Sequence, residues 1–163
     1  MAGLATAATV LMAGSPAQAV EWPSDIYAFQ NAYTGKCLSG SGRSVSQLPC
    51  GLSVPQGGSR STDWNVADTD MPNSVKGGFI IRNKATGLCL DTNGADVYLS
   101  GCATSDLGQL WTLNNCEQSF TSWLAHQPLT GWNSGGVSVA APETVDNDMK
   151  SRWHLVGDTG CGG

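Results

Sequence analysis

Tyr27-Ala28-Phe29-Gln30-Asn31-Ala32-Tyr33-Thr34-Gly35-Lys36-Cys37-Leu38 lies over Phe79-Ile80-Ile81-Arg82-Asn83-Lys84-Ala85-Thr86-Gly87-Leu88-Cys89-Leu90 at a constant offset of 52 residues, and the same offset carries Cys50 onto Cys102. A weaker third copy runs from Trp123 to Trp132, with Thr130-Gly131 in the place of Thr34-Gly35 and Thr86-Gly87. Each copy opens with an apolar strand, turns at Thr-Gly and continues through short alternating stretches such as Val97-Tyr98-Leu99 or Val137-Ser138-Val139. Each ends at a Trp that starts another strand: Trp64-Asn65-Val66, Trp111-Thr112-Leu113 and Trp153-His154-Leu155-Val156. Apolar residues show no 3.6-residue period anywhere, so the pattern predicts an all-β chain of three four-stranded repeats. A repeat of this size cannot bury a core alone, and the three must close on one another.

Composition agrees with a single turn-rich domain. The chain has 163 residues, of which 40% are hydrophobic and only 13% charged, with 21 Gly, 6 Trp and 6 Cys. Its 13 acidic and 8 basic side chains give a formal net charge of -5, which opposes a polyphosphate backbone and an anionic membrane surface alike. Nucleic acid is therefore not an expected partner, and no apolar run reaches the length of a membrane span.

Residues 1–19 read as a secretory signal: an apolar, alanine-rich stretch from Leu4 to Ala13, then Gly14-Ser15-Pro16 and the small-residue triplet Ala17-Gln18-Ala19, although no Lys or Arg precedes Lys36. Residues 20–26 then form an N-terminal arm, and residues 27–163 hold the repeats, at about 27–66, 79–113 and 120–156. Export implies an oxidising compartment, and the cysteines fit one. Cys37 and Cys50 stand 13 apart, as do Cys89 and Cys102. Of the fifteen pairings that six cysteines allow, this equal interval selects those two local bridges and leaves Cys116 for Cys161. Zinc is not expected, since no CxxC or Cys/His cluster occurs.

Three four-stranded units, two of them with hairpin disulfides, resemble the β-trefoil of the ricin-B-type lectin family. The most specific stretch is Cys89-Leu90-Asp91, followed by Cys102 and by Gln109-Leu110-Trp111, which match that family's CLD and QxW signatures. The first unit reads Thr62-Asp63-Trp64 at the second signature, and the third reads Ser151-Arg152-Trp153 and lacks both cysteines. The resemblance implies that Trp64, Trp111 and Trp153 fill a shared core, that Trp123 joins it at the position of Phe79, and that a Cys116–Cys161 bridge staples the C-terminal tail. Trp22 and Trp132 remain for surface contacts.

Sugar pockets of the resembled family use an Asp two residues after the first Cys, an aromatic two before the second Cys, and an Asn just before the Gln of QxW. In the second unit these positions hold Asp91, Ser100 and Gly108; the first unit holds Ser39, Leu48 and Ser61; the third, aligned on Thr-Gly and on Trp153, holds Gly135 and Lys150. No pocket is complete. Sugars displace water that binds them nearly as well, so affinity depends on stacking and on placed polar groups. Asp91, with Tyr98 as a substitute ring and Gln109 beside it, is the remaining candidate for carbohydrate binding. Asp91 alternatively serves as a turn residue bonding nearby backbone.

Catalytic patterns are missing. His126 and His154 lie in strands or at their edges, outside any HExxH pattern. No GxSxG elbow or phosphate-binding glycine loop occurs. Asp91, Asp96, Asp106 and Glu117 have no spacing that sets a facing glycosidase pair, and Asp68-Thr69-Asp70 and Asp146-Asn147-Asp148 lack a calcium loop's full ligand set. The sequence therefore predicts no catalytic residues, no metal and no cofactor. The expected function is that of a secreted, non-catalytic β-trefoil acting as a protein–protein adaptor or structural subunit of an extracellular complex, such as one containing a toxin or lectin chain. Its partner is then another secreted protein, which Trp22 and Pro23 of the arm could engage as an extended segment. The alternative is a ricin-B-like lectin whose partner is a glycan at the second unit. A protease-inhibitor trefoil would need a rigid exposed loop, for which Gly51 to Ser61 is the candidate.

Overall fold

The computed structural model describes residues 22–51, 59–69, 78–114, 118–140 and 148–156. Their strands are β1 (Phe29–Asn31), β2 (Lys36–Ser41), β3 (Ser44–Pro49), β4 (Trp64–Asp68), β5 (Phe79–Asn83), β6 (Cys89–Thr92), β7 (Val97–Ser100), β8 (Trp111–Asn114), β9 (Ser119–Ser122), β10 (Leu129–Gly131), β11 (Val137–Val139) and β12 (Trp153–Leu155). The architecture is the predicted β-trefoil. Three hairpins repeat in register, with Leu38 opposite Gln47, Leu90 opposite Leu99 and Leu129 opposite Val139. The first strand of each unit pairs antiparallel with the last strand of the unit before it: β1 with β12, β5 with β4 and β9 with β8. Those three seams join the three units into one barrel.

Thr-Gly turns owe their sequence to backbone geometry. Gly35 and Gly87 sit in the left-handed region, at φ 67° and 71°, which glycine enters without strain. Their N–H groups donate to Asn31 O at 2.9 Å and Asn83 O at 2.8 Å. The equivalent bond in the third unit runs from His126 N–H to Ser122 O at 2.9 Å, with His126 at φ 53°.

This corrects the register expected from Thr130-Gly131. The third turn lies at His126, and Thr130-Gly131 belongs to β10, equivalent to Ser39-Gly40 of β2. Gly131 is small because of a neighbour rather than a turn: a Cβ there would lie 2.8 Å from both Asn31 Nδ2 and Gln47 Oε1. Trp123 is likewise not at the Phe79 position. It follows β9, whose Phe120 enters the main core, and packs half-buried with Trp22 against Ile80, Cys89 and Leu110.

The three closing tryptophans obey one rule. Trp64, Trp111 and Trp153 are buried, and their indole N–H groups donate to Leu38 O, Leu90 O and Leu129 O, each at 3.0 Å. Each ring thus contributes its large apolar face to the core while its one polar atom pins the first strand of a hairpin. Phe29 meets Phe120 edge to face at 4.7 Å across the barrel. The expected bridges Cys37–Cys50 and Cys89–Cys102 are both formed, with Cα atoms 5.0 Å apart in each. Cys116 and Cys161 lie outside the described residues, as does the stretch read as a signal.

Candidate functional site

In unit two, β6 and β7 place Asp91 directly opposite Tyr98. Leu90 and Leu99 point into the core, so the alternation of the hairpin turns Asp91 and Tyr98 to the other face. Asp91 nevertheless remains only 4% exposed. Its Oδ2 accepts from Ser100 Oγ at 2.5 Å, and Gln109 Nε2 lies 3.4 Å away. Gly108, in the 3-10 turn Leu107–Gln109, lies against Asp91 Oδ1, so closely that a Cβ on Gly108 would collide with that oxygen and with Thr92 O. Asp106 caps this turn by accepting from Gly108 N–H at 2.9 Å. The carboxylate is roofed by its own chain.

Gln109 is committed inward as well. Its Nε2 donates to Ser100 Oγ at 2.7 Å and Gly101 O at 2.8 Å, and its Oε1 accepts from Ala103 N–H at 2.9 Å. Tyr98 stays half-buried. Burial raises its phenol above the ordinary value, and the negative charges of Asp91 and Asp106 push in the same direction. The structure therefore brings Asp91, Tyr98 and Gln109 together, with two of the three sealed by internal hydrogen bonds.

The corresponding positions of the other units carry no carboxylate. Ser39 is buried and donates to Ser61 Oγ at 2.9 Å. In the corrected register the third unit holds Thr130, which is buried and reaches Pro128 O at 3.3 Å, rather than Gly135. Lys150 keeps its place before Ser151-Arg152-Trp153, in the 3-10 turn Asp148–Ser151.

Trp22 of the arm is half-buried on its own barrel, with Arg82 Cζ 4.2 Å from the centre of its ring. Asn65 Nδ2 fastens the arm further by donating to Pro23 O at 3.1 Å and Asp25 O at 2.6 Å. Pro23 itself is exposed, at the rim of a cavity of about 420 Å³. Tyr27, Phe29, Phe79, Phe120 and Leu155 line that cavity, at the barrel end where β5 and β9 begin and β12 ends.

One cluster escaped the sequence reading. Tyr33 from the β1–β2 turn, Trp132 and Asn133 from the β10–β11 hairpin, and Lys150 meet at the junction of units one and three. Trp132 was legible as a surface candidate and Lys150 as the residue at the amide position of the third unit, but nothing in the linear order joins them to Tyr33.

A family profile described as "Ricin-type beta-trefoil lectin domain-like" matches residues 18–103, more than half of the chain. Among solved structures, SeviL bound to asialo-GM1 saccharide is similar at 15% identity and a TM-score of 0.59, covering 80% of this chain and 94% of that one. The cytolethal distending toxin structure from Haemophilus ducreyi is similar at 15% identity and a TM-score of 0.62, covering 90% of this chain and 92% of the other. An endo-β-galactosidase from Clostridium perfringens matches at 18% identity and a TM-score of 0.62, but the match covers only 32% of that enzyme. These likenesses establish the fold. No curated protein sequence matches the chain.

Proposed function

The chain belongs to the ricin-type β-trefoil lectin domain-like family, and from that premise we propose that it is a secreted, non-catalytic binding module working as an adaptor or structural subunit of an extracellular protein complex. The observation that carries this reading is the closed state of the second-unit pocket. Asp91 is 4% exposed and roofed by Gly108, while Ser39 and Thr130 stand buried in its place elsewhere. A carboxylate that already accepts bonds from its own chain, with no ring at the family's aromatic position, offers a sugar little that water does not. Two hairpin disulfides support residence in an oxidising compartment. The toxin neighbour has the same fold over nearly its whole chain, which makes a toxin-type assembly a suitable class of complex. Pro23 at the rim of the apolar cavity, with Trp22 packed beside it, is the proposed contact for a protein partner.

The test is purification of the exported protein from its native culture. A stoichiometric protein partner that is lost with Pro23→Glu, while the variant keeps the parent's unfolding midpoint, is the expected result. A protein that emerges alone and binds a glycan array in an Asp91-dependent way refutes the adaptor reading.

Tyr98 favours a second reading. Its half-exposed ring lies directly across from Asp91, and the SeviL neighbour, of similar fold, is bound to a saccharide. Under this reading the module is a lectin using Asp91, Tyr98 and Gln109, and glycan binding falls at least tenfold in Tyr98→Ala.

A further inference from the structure

We propose that the cluster of Tyr33, Trp132, Asn133 and Lys150 is a binding site for a carboxylate-bearing pyranose of the uronic or sialic kind. The proposal does not depend on the adaptor reading and uses neither Asp91 nor Tyr98.

Aromatic rings on a trefoil ordinarily belong to the core, and in this chain the core takes Trp64, Trp111 and Trp153. Tyr33 and Trp132 lie outside it, Tyr33 being 37% exposed and Trp132 half-buried. Lys150 Nζ stands 5.1 Å from the centre of the Tyr33 ring and 5.6 Å from that of Trp132, so one ammonium is shared by two ring faces. Asn133 Nδ2 donates to Tyr33 Oη at 3.2 Å and ties the two loops together across the site.

The platform is fixed before any ligand arrives. Gln47 of β3 is buried, accepts from Thr34 Oγ1 at 2.5 Å, and donates to Trp132 O at 3.1 Å and Gly136 O at 2.9 Å. It therefore clamps the turn that carries Tyr33 to the hairpin that carries Trp132. Trp132 Nε1 donates to Ser138 Oγ at 2.8 Å, which fixes the indole plane. Asn31 Nδ2 donates to Lys150 O at 2.8 Å and holds the turn from which the ammonium extends. Stacking surfaces held in this way avoid much of the ordering cost that weakens sugar binding.

Chemistry selects the ligand class. Ring faces suit the C–H face of a pyranose, and the polar groups around them are mostly donors: three N–H on Lys150, the amide N–H of Asn133 and the Tyr33 hydroxyl. A donor-rich, cationic site is complementary to a sugar that carries an anion. The net charge of -5 opposes long polyanions, whereas a single carboxylate at the ammonium is screened from distant acids beyond roughly 8 Å at physiological salt. This is not the family's arrangement rebuilt. Only Lys150 occupies a family sugar position, that of the amide, and in the corrected register Ala140 holds the aromatic position.

The experiment is a saturation-transfer NMR and calorimetric titration of the full chain with methyl β-glucuronide, with methyl β-glucoside and lactose as neutral controls and 3′-sialyllactose as the second acid. Binding of either acid at least tenfold tighter than its neutral counterpart is expected. Lys150→Gln should remove that preference, Trp132→Ala should abolish binding, and Asp91→Ala should leave it unchanged, with thermal unfolding confirming that each variant is folded. Equal binding of acid and neutral sugars, insensitivity to Lys150→Gln, loss of binding in Asp91→Ala, or no binding of any sugar each overturns the proposal. If a neutral sugar alone binds and depends on Asp91, the second-unit lectin reading is supported instead.

Discussion

Restoring a side chain at Gly108 should break the fold locally rather than repair a sugar pocket. The family places an Asn there, and the naive expectation is that Gly108→Asn regains function. Instead, the smallest addition, Gly108→Ala, drives a methyl into Asp91 Oδ1 and into the backbone oxygen of Thr92, with Asp106 Oδ1 at 3.3 Å closing the third side. Asp91 can retreat only by giving up the bond from Ser100, and Thr92 O cannot retreat without shifting β6, which Leu90 anchors to Trp111. Overpacking of this kind costs about 1–3 kcal/mol, and disturbing a hydrogen bond to a charged group about 1.5–3 kcal/mol, so a net loss of about 2–4 kcal/mol follows because relief of one contact partly relieves the other. For a domain of this size that corresponds to a fall in Tm of about 6–12 °C.

The assay is guanidinium unfolding followed by tryptophan fluorescence, with calorimetry for Tm. Gly101→Ala is the matched control, since a Cβ at Gly101 meets nothing within 4 Å. It should stay within about 0.5 kcal/mol of the parent. A Gly108→Ala protein as stable as the control, or a Gly108→Asn protein that binds galactosides, refutes the argument that the loop roofs Asp91.

Three further outcomes are expected. Removing the second hairpin bridge as Cys89→Ala/Cys102→Ser should lower stability by about 3 kcal/mol in denaturant titration, as expected for closing a loop of 13 residues, and an unchanged midpoint would contradict it. His126→Gly should stabilise by about 0.5–1 kcal/mol in the same assay, because a left-handed residue with a Cβ is strained by about 1–2 kcal/mol while glycine gives back about 0.4–1 kcal/mol through the unfolded chain. Tyr98 keeps its proton more tightly when folded than when unfolded, so its contribution to stability is complete below the ordinary tyrosine value and is lost as pH rises through the raised one. Spectrophotometric titration should show one phenol ionising late, and Tyr98→Phe should flatten the alkaline fall in stability.

Two full units were legible in the sequence because the features that define them are short-range and repeated: Asn31 and Asn83, Gly35 and Gly87, the paired cysteines, and a Trp at each end. Each of those residues has a local backbone task, and local tasks leave local signatures. The third unit misled because its turn needs a left-handed residue and uses His126 for it, while a Thr-Gly five residues later has a different reason to exist. Gly131 is set by the approach of Asn31 and Gln47, a contact across the molecule that no spacing reveals. The candidate sites divide in the same way. Asp91 and Gln109 were found by signature, but their closure depends on the absence of a side chain at Gly108. The Tyr33 cluster joins positions 100 residues apart and is invisible until the ring of repeats is closed.

Closure of the second unit raises the question of why a carboxylate is held at Asp91 if no sugar touches it. A framework role and a sugar role make opposite demands on one substitution. If Asp91 is the acceptor that fixes Ser100 beside the Gly108 loop, Asp91→Ala leaves the Ser100 hydroxyl facing a cavity in place of its acceptor, at a cost of about 1.5–3 kcal/mol, and no ligand is affected. If instead the carboxylate serves a saccharide, binding disappears while the unfolding midpoint barely moves. The geometry argues for the first outcome, because Ser100 and Gln109, the side chains that reach the Asp91 carboxylate, are already bonded within the chain. A family signature can persist as part of the scaffold after the ligand chemistry that made it recognisable has gone, and measuring stability alongside binding separates the two.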